Sequence, residues 1–279
     1  MDKKLRILYV TSEIDPFLKF SSAADIIRLL PQKLQEKGHD IRIFMPKFGV
    51  INERRNRLHE VVRLSGINIR VAGQEKPLTI KVASIPNAKL QVYFLDNEDY
   101  FKRKSVLTDP KDNSFHLDND ERSIFFCKGV IETVKKLGWP PDIIHCHDWM
   151  TSFIPLYLRT HYREDPMFKN TKIVYTVYNN GFSNEFAQSF LDKVRVDGIS
   201  DDQLLKYDGN NYIGVVKGGI ALSDAVTKGH PTVDATIEEY IASTSHSVYF
   251  DKQDNGYIDV NDKDAYVQRY NDLYEKISS

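Results

Sequence analysis

Apolar residues along the chain fall into short unbroken runs separated by longer stretches of helical spacing. The first run, Leu5 to Thr11, shows no alternation, the pattern of a strand covered on both faces. After the polar segment Ser12 to Phe20, apolar residues recur at Ile26, Ile27, Leu29, Leu30 and Leu34. That spacing predicts a helix running towards Lys37, capped by Ser22 and stopped by Gly38. Pro31 lacks the amide hydrogen a helix interior needs, so it predicts a kink or the start of a second segment. Ile41, Ile43 and Phe44 supply a second strand, completing a βαβ unit.

Residues 50–95 read differently. Val61–Val62, Ile67–Val71, Leu78–Val82 and Leu90–Leu95 are short runs split by Gly66, Gly73, Pro77 and Pro86, which predicts an inserted, hairpin-rich segment. Residues 97–119 are polar and predict a long surface loop. Helical spacing returns over 120–137 and ends at Gly138-Trp139-Pro140-Pro141. Ile143–Ile144, Lys172–Val177 and Ala225–Thr227 predict strands, while 151–162, 212–222 and 231–241 predict helices. Residues 185–210 predict short helices and turns. The tail, Asp262 to Ile277, is amphipathic through Ala265, Val267, Tyr270, Leu273, Tyr274 and Ile277. No repeat and no Gly/Ser linker interrupts the pattern, so the expected fold class is a single α/β domain over a mostly parallel sheet.

Charge narrows the function. Lys plus Arg number 38 and Asp plus Glu 39 among 279 residues, giving a net charge of −1. That balance points away from nucleic-acid binding, which draws on a basic excess. Cys127 and Cys146 are too few for a disulfide framework, so a reducing, cytoplasmic setting is expected. The apolar run near the start is too short for a secretion signal or a membrane span.

Ligands of open parallel sheets bind beyond the carboxyl ends of the strands, which directs attention to four segments. The loop Ser12 to Ser22 holds Glu13, Asp15, Lys19, Ser21 and Ser22 at the usual phosphate-cradling position. No G-x-G-x-x-G or P-loop pattern is present, so Lys19 is either an anion contact or a solvated lysine beside a cap. The second segment, His145-Cys146-His147-Asp148-Trp149, puts both histidines on one strand face and Cys146 on the other. A second ligand cluster is missing, so no metal is expected. Asp148 suits sugar hydroxyls and equally suits the cap of the next helix. In the third segment, Tyr178-Asn179-Asn180-Gly181, Asn179 either contacts a ligand or shapes the turn. Trp149, Tyr178 and Phe182 either stack on sugars or fill the core. The fourth segment is the turn from Lys228 to Pro231.

Several motifs in order give these residues a context. Ile7 to Lys19 resembles the opening of bacterial glycogen synthases and plant starch synthases, which continue Thr-Gly-Gly-Leu-Ala-Asp-Val where this chain has Phe20-Ser21-Ser22-Ala23-Ala24-Asp25-Ile26. Gly38 to Lys47, Asp120 to Phe126, Pro141 to Trp149 and the Lys217-Gly218-Gly219-Ile220 segment also resemble that family. The resemblance spans residues 5 to about 242 and implies a Rossmann-like, doubly wound domain equivalent to the N-terminal half of a GT-B fold. It implies transfer of glucose from ADP-glucose to an α-1,4-glucan, with no cofactor and no metal. By resemblance, Asp148 is the cleft carboxylate and Lys19 lies near the donor phosphates. Glu13, Asp15, Ser21, Ser22, His147, Trp149, Tyr178, Asn179, Lys217 and Gly218 would contact substrate. The family's second, nucleotide-sugar domain would follow residue 242; here 243–279 read as an extension whose helix packs back on the domain. The departures at Ser21, Ser22, Tyr178 and Lys228-Gly229-His230-Pro231 fall on ligand-facing motifs. The expected function is a transferase domain incomplete or weakly active alone, aided by a separate donor-domain protein or a second copy. The alternative is a non-catalytic module binding glucan or nucleotide sugar.

Overall fold

The computed structural model describes residues 4–21, 23–244, 249–250, 257 and 259–279. Its strands are β1 (Arg6–Val10), β2 (Asp40–Pro46), β3 (His59–Glu60), β4 (Ile67–Val71), β5 (Gln74–Ser84), β6 (Gln91–Asp96), β7 (Ile143–His147), β8 (Lys172–Val177), β9 (Ala225–Lys228) and β10 (Tyr249–Phe250). Its α-helices are α1 (Ala23–Glu36), α2 (Glu98–Phe101), α3 (Asn119–Leu137), α4 (Phe153–Arg159), α5 (Phe190–Val194), α6 (Asp201–Leu204), α7 (Tyr212–Ala221), α8 (Ala235–Ser243) and α9 (Lys263–Ile277). The strand order is β10-β9-β8-β7-β1-β2-β6-β5-β3. Every pair from β10 to β6 is parallel, and β5 adds antiparallel contacts to β6, β3 and β4. This is an α/β, Rossmann-like, mostly parallel sheet, as the βαβ pattern predicts.

The central strands are apolar throughout because both faces are covered. Ile7 to Val10 of β1 and all of β7 are buried. On one side, α3 contributes Ile124, Phe125, Val130, Ile131 and Val134 to the core. Elsewhere α1 and the carboxyl-terminal α9 pack against each other. The tail buries Tyr266, Val267, Tyr270, Leu273 and Tyr274, so Tyr266 rather than Ala265 joins the predicted face. Polar groups accompany this packing. Tyr274 shares hydrogen bonds with Tyr9 Oη (3.0 Å) and His145 Nδ1 (2.6 Å), and His145 Nε2 meets Thr176 Oγ1 (2.6 Å). Thr176 in turn bonds Thr227 (2.6 Å), which accepts from Tyr270 (3.1 Å). A buried network satisfied in this way fixes one seating for the helix.

Several expectations need correction. No second segment starts at Pro31: α1 continues through it, because Pro31 is buried and the packed face around it (Ile27, Leu30, Leu34) holds the segment together. The hairpin region is not an insertion: β6 lies in register beside β2, so the region completes one edge of the sheet. Residues 97–119 are not all loop. Asn97 caps α2 by accepting the Tyr100 N–H (3.2 Å), and Tyr100 and Phe101 pack against Phe125. Val62 is 78 % exposed, and the strand predicted there lies at His59–Glu60 instead. The segment 151–162 divides into a 3-10 turn, Trp149–Thr151, and α4, because Asp148 caps the turn first. Ser22 lies outside the described residues.

Candidate active site

β1 has β2 on one side and β7 on the other, so chain order reverses between β1 and β7. In doubly wound sheets the ligand crevice opens beyond the carboxyl ends of the strands at this point. The loop after β1 and the turn after β7 meet there through Ser12 and Asp148.

Asp148 directly follows β7 and is 4 % exposed. Its φ of +66° and ψ of 175° lie in a region that glycine alone visits freely. Its surroundings hold it there. The backbone N–H donates to the Thr176 carbonyl (3.2 Å), and its own carbonyl accepts from the Tyr175 hydroxyl (3.0 Å) and Thr151 Oγ1 (2.9 Å). One carboxylate oxygen caps the following turn through the Met150 N–H (2.8 Å). The other accepts from the Ser12 hydroxyl and its N–H. Burial outweighs these donors and, helped by the nearby charge of Glu13, pushes the carboxyl up to about 7. A carboxyl of that kind both accepts and donates hydrogen bonds near neutral pH, which suits work on a hydroxyl-rich substrate.

The β1 loop is tied down from inside. Glu13, 1 % exposed, accepts the N–H groups of Phe20 (2.9 Å) and Ser21 (3.0 Å) and the Ser21 hydroxyl. Burial raises its pKa despite these bonds. Asp15 pairs with Arg28 (2.6 Å). Lys19 reaches Asp25 on α1 (2.5 Å), and that bond raises its pKa. A pocket of about 630 Å3 lies beside this loop, with Asp15, Asp25, Arg28, Gly229 and His230 in its wall.

On the β8–β9 side the polar groups turn inward. His147, 1 % exposed, bonds the Tyr178 hydroxyl through Nδ1 (2.8 Å), and its Nε2 has no partner. Burial lowers its pKa to about 3. Its ring lies 3.9 Å from that of His145, as the shared strand face predicts. Tyr178 is 5 % exposed and its ring stands against Gly229, where an added Cβ would sit 2.1 Å from a ring carbon. Asn179 is exposed in the turn. Trp149 is 3 % exposed and packs edge-on against Phe182 (4.9 Å), with Phe186 and Phe115 continuing the cluster. Lys217 on α7 faces the Tyr240 ring at 5.3 Å. Gly218 lets α7 approach Tyr207, whose ring would lie 2.3 Å from an added Cβ.

The structure therefore ties Glu13 to Ser21 and Asp148 to Ser12 within the β1 loop and the turn after β7, and turns His147 and Tyr178 towards each other in the packing. Sequence reasoning missed Ser12 as the partner of Asp148. The signal was available: a hydroxyl one residue past Thr11, at a strand end facing the switch point. Among the described residues no group of three or more His, Cys, Asp or Glu is placed to hold a metal, and no helix is long and apolar enough to cross a membrane.

Residues 6–252 match the family described as starch synthase catalytic domain. A glycogen synthase of Chlorobaculum parvum is 40 % identical over 234 residues, covering 82 % of this chain and 46 % of that protein. A glycogen synthase of Chlorobium phaeobacteroides is 47 % identical over 177 residues, covering 63 % and 36 %. The catalytic domain of starch synthase IV from Arabidopsis thaliana, bound to ADP and acarbose, superposes with a TM-score of 0.71 at 21 % identity, over 88 % of this chain and 51 % of that one. The matched stretch is thus less than half of each curated relative. On its sequence and its fold, the chain belongs to the glycogen and starch synthase family.

Proposed function

We propose that the chain forms the acceptor-side half of a glucosyltransferase that moves glucose from ADP-glucose to the end of an α-1,4-glucan in the cytoplasm. The observation that carries this reading is Asp148: a strained, buried carboxyl at the switch point, gripped by Ser12 of the β1 loop. In this reading Asp148 contacts the reacting sugar. The Glu13-braced loop with Lys19 and Ser21 borders the donor phosphates, while Asn179 and Lys217 lie at its margin. Stabilising a leaving diphosphate needs cations aimed at it. Lys19 is the one lysine of this loop and already faces Asp25, so most of the cations for the diphosphate would come from a donor half in a longer chain, a separate protein or a second copy. The chain alone is expected to transfer glucose very slowly.

One observation favours a second reading, a module that binds glucan or nucleotide sugar without turnover. The loop N–H groups at Phe20 and Ser21 already serve Glu13 and are not free for a phosphate. The test is transfer of labelled glucose from ADP-glucose to a maltodextrin, with the chain and its Asp148→Asn variant, each alone and with a donor half cut from a full-length relative. Transfer that needs both the added half and Asp148 supports the first reading. Binding of maltodextrin with no transfer in any mixture supports the second.

A further inference from the structure

A second pocket, of about 690 Å3, lies between the β4–β5 hairpin, the middle of α3 and the segment 189–197. It shares no lining residue with the pocket beside the β1 loop. Lys128 of α3 lines it and is only 9 % exposed. The ammonium donates to the Arg70 carbonyl (2.9 Å) and stands 5.4 Å from the centre of the Tyr157 ring. Among the described residues it has no carboxylate partner. Arg70, exposed on the same wall, has no side-chain hydrogen bond or ion pair among the described residues. Burial, and then the like charge of Arg70, bring Lys128 down to about 8.

The other lining cations are matched. Lys193 pairs with Asp120 and Glu121 (2.9 Å each), and Arg195 pairs with Asp201 (2.6 Å). The acids of the lining do not compensate Lys128. Glu132 accepts from the Tyr162 hydroxyl, and Asp192 and Asp197 are exposed to water. A buried ammonium beside a second cation, with no anion between them, is costly unless something supplies the charge.

We infer that this pocket binds a phosphomonoester carrying a small organic body, with Arg70 and Lys128 as the groups that hold its phosphate. Two cations match a dianion, and the planar guanidinium fits phosphate oxygens pairwise. The volume falls in the range of small-molecule sites and exceeds what a bare phosphate fills. Asn68 and Ser189 on the wall offer hydrogen bonds to hydroxyls of the remaining body.

The test titrates inorganic phosphate, glycerol 3-phosphate and glycerol into the 15N-labelled chain. Both phosphates are expected to shift the amides of residues 68–73 and 189–197 saturably, glycerol 3-phosphate more tightly. Arg70→Ala, at an exposed position, should keep the melting temperature and weaken binding about tenfold, the scale of one charge-assisted hydrogen bond. Lys128→Met should weaken it at least as much. The inference fails if no saturable shift reaches these amides by roughly 20 mM. It fails equally if Arg70→Ala binds like the parent or if glycerol alone gives the same shifts.

Discussion

The two sides of the sheet's carboxyl end are built on different principles. Between β1 and β7, a buried carboxyl is held by strain and hydrogen bonds: Asp148 at φ +66°, gripped by Ser12. Between β8 and β9, the equivalent space is filled by the protein itself. Tyr178 turns inward to His147 and lies on Gly229. The first side stores electrostatic free energy in a buried carboxyl, and the second gains it by packing a ring. One end of a sheet can thus hold a buried carboxyl by hydrogen bonds at one strand and pack an aromatic ring at the next.

The contrast can be broken from the packed side with the largest effect. Tyr178→Ala should cost about 3–5 kcal/mol, since it empties a ring-sized space and leaves His147 without a partner. Chemical denaturation measures it, and a loss below about 1 kcal/mol would show that the ring is not structural.

The electrostatic side is sharpened by Asp148→Asn. The carboxyl's pKa is raised in the fold, so its contribution to stability is complete below the unfolded value of 3.8 and is lost as pH rises towards about 7. Asparagine keeps the cap on Met150 without that loss. The variant should therefore gain on the parent by about 4 kcal/mol between pH 4 and pH 8. His147, held low, acts in the opposite sense in the parent, losing stability as pH falls from 6.5 towards 3. It is present in both proteins and cancels in the difference. A pH-independent difference would remove the electrostatic account.

Gly229→Ala should cost about 1–3 kcal/mol, because the new methyl meets a ring already fixed by its bond to His147. The smallest effect belongs to Tyr178→Phe, about 1 kcal/mol, the worth of one hydrogen bond. If the phenylalanine variant lost as much as the alanine one, the hydroxyl rather than the ring would hold this side.

Much of this was readable from the chain. Apolar runs at Ile7–Val10 and Ile173–Tyr175 became central parallel strands because burial on both faces leaves no room for alternation. The tail helix was readable from its spacing, although its network with Tyr9 and His145 was not, since those partners lie more than 100 residues away. Asp148 was readable as a cap from its place at the end of a strand, and it caps the turn through the Met150 N–H. The fate of Tyr178 was not: its direction depends on Gly229, which only β-pairing brings beside it. Pro31 starts no second segment for a related reason, because local propensity yields when tertiary packing holds a helix together.

The central claim is that Asp148 is a buried carboxyl poised near neutrality by its position at the crevice. The direct measurement is the pH titration of its side-chain 13C carboxyl resonance, assigned by its loss in Asp148→Asn. The account expects a midpoint near the value of about 7, moved higher in Ser12→Ala, which removes a donor that favours the charged form. A midpoint in the ordinary range for aspartate, about 4, unmoved in Ser12→Ala, would contradict it.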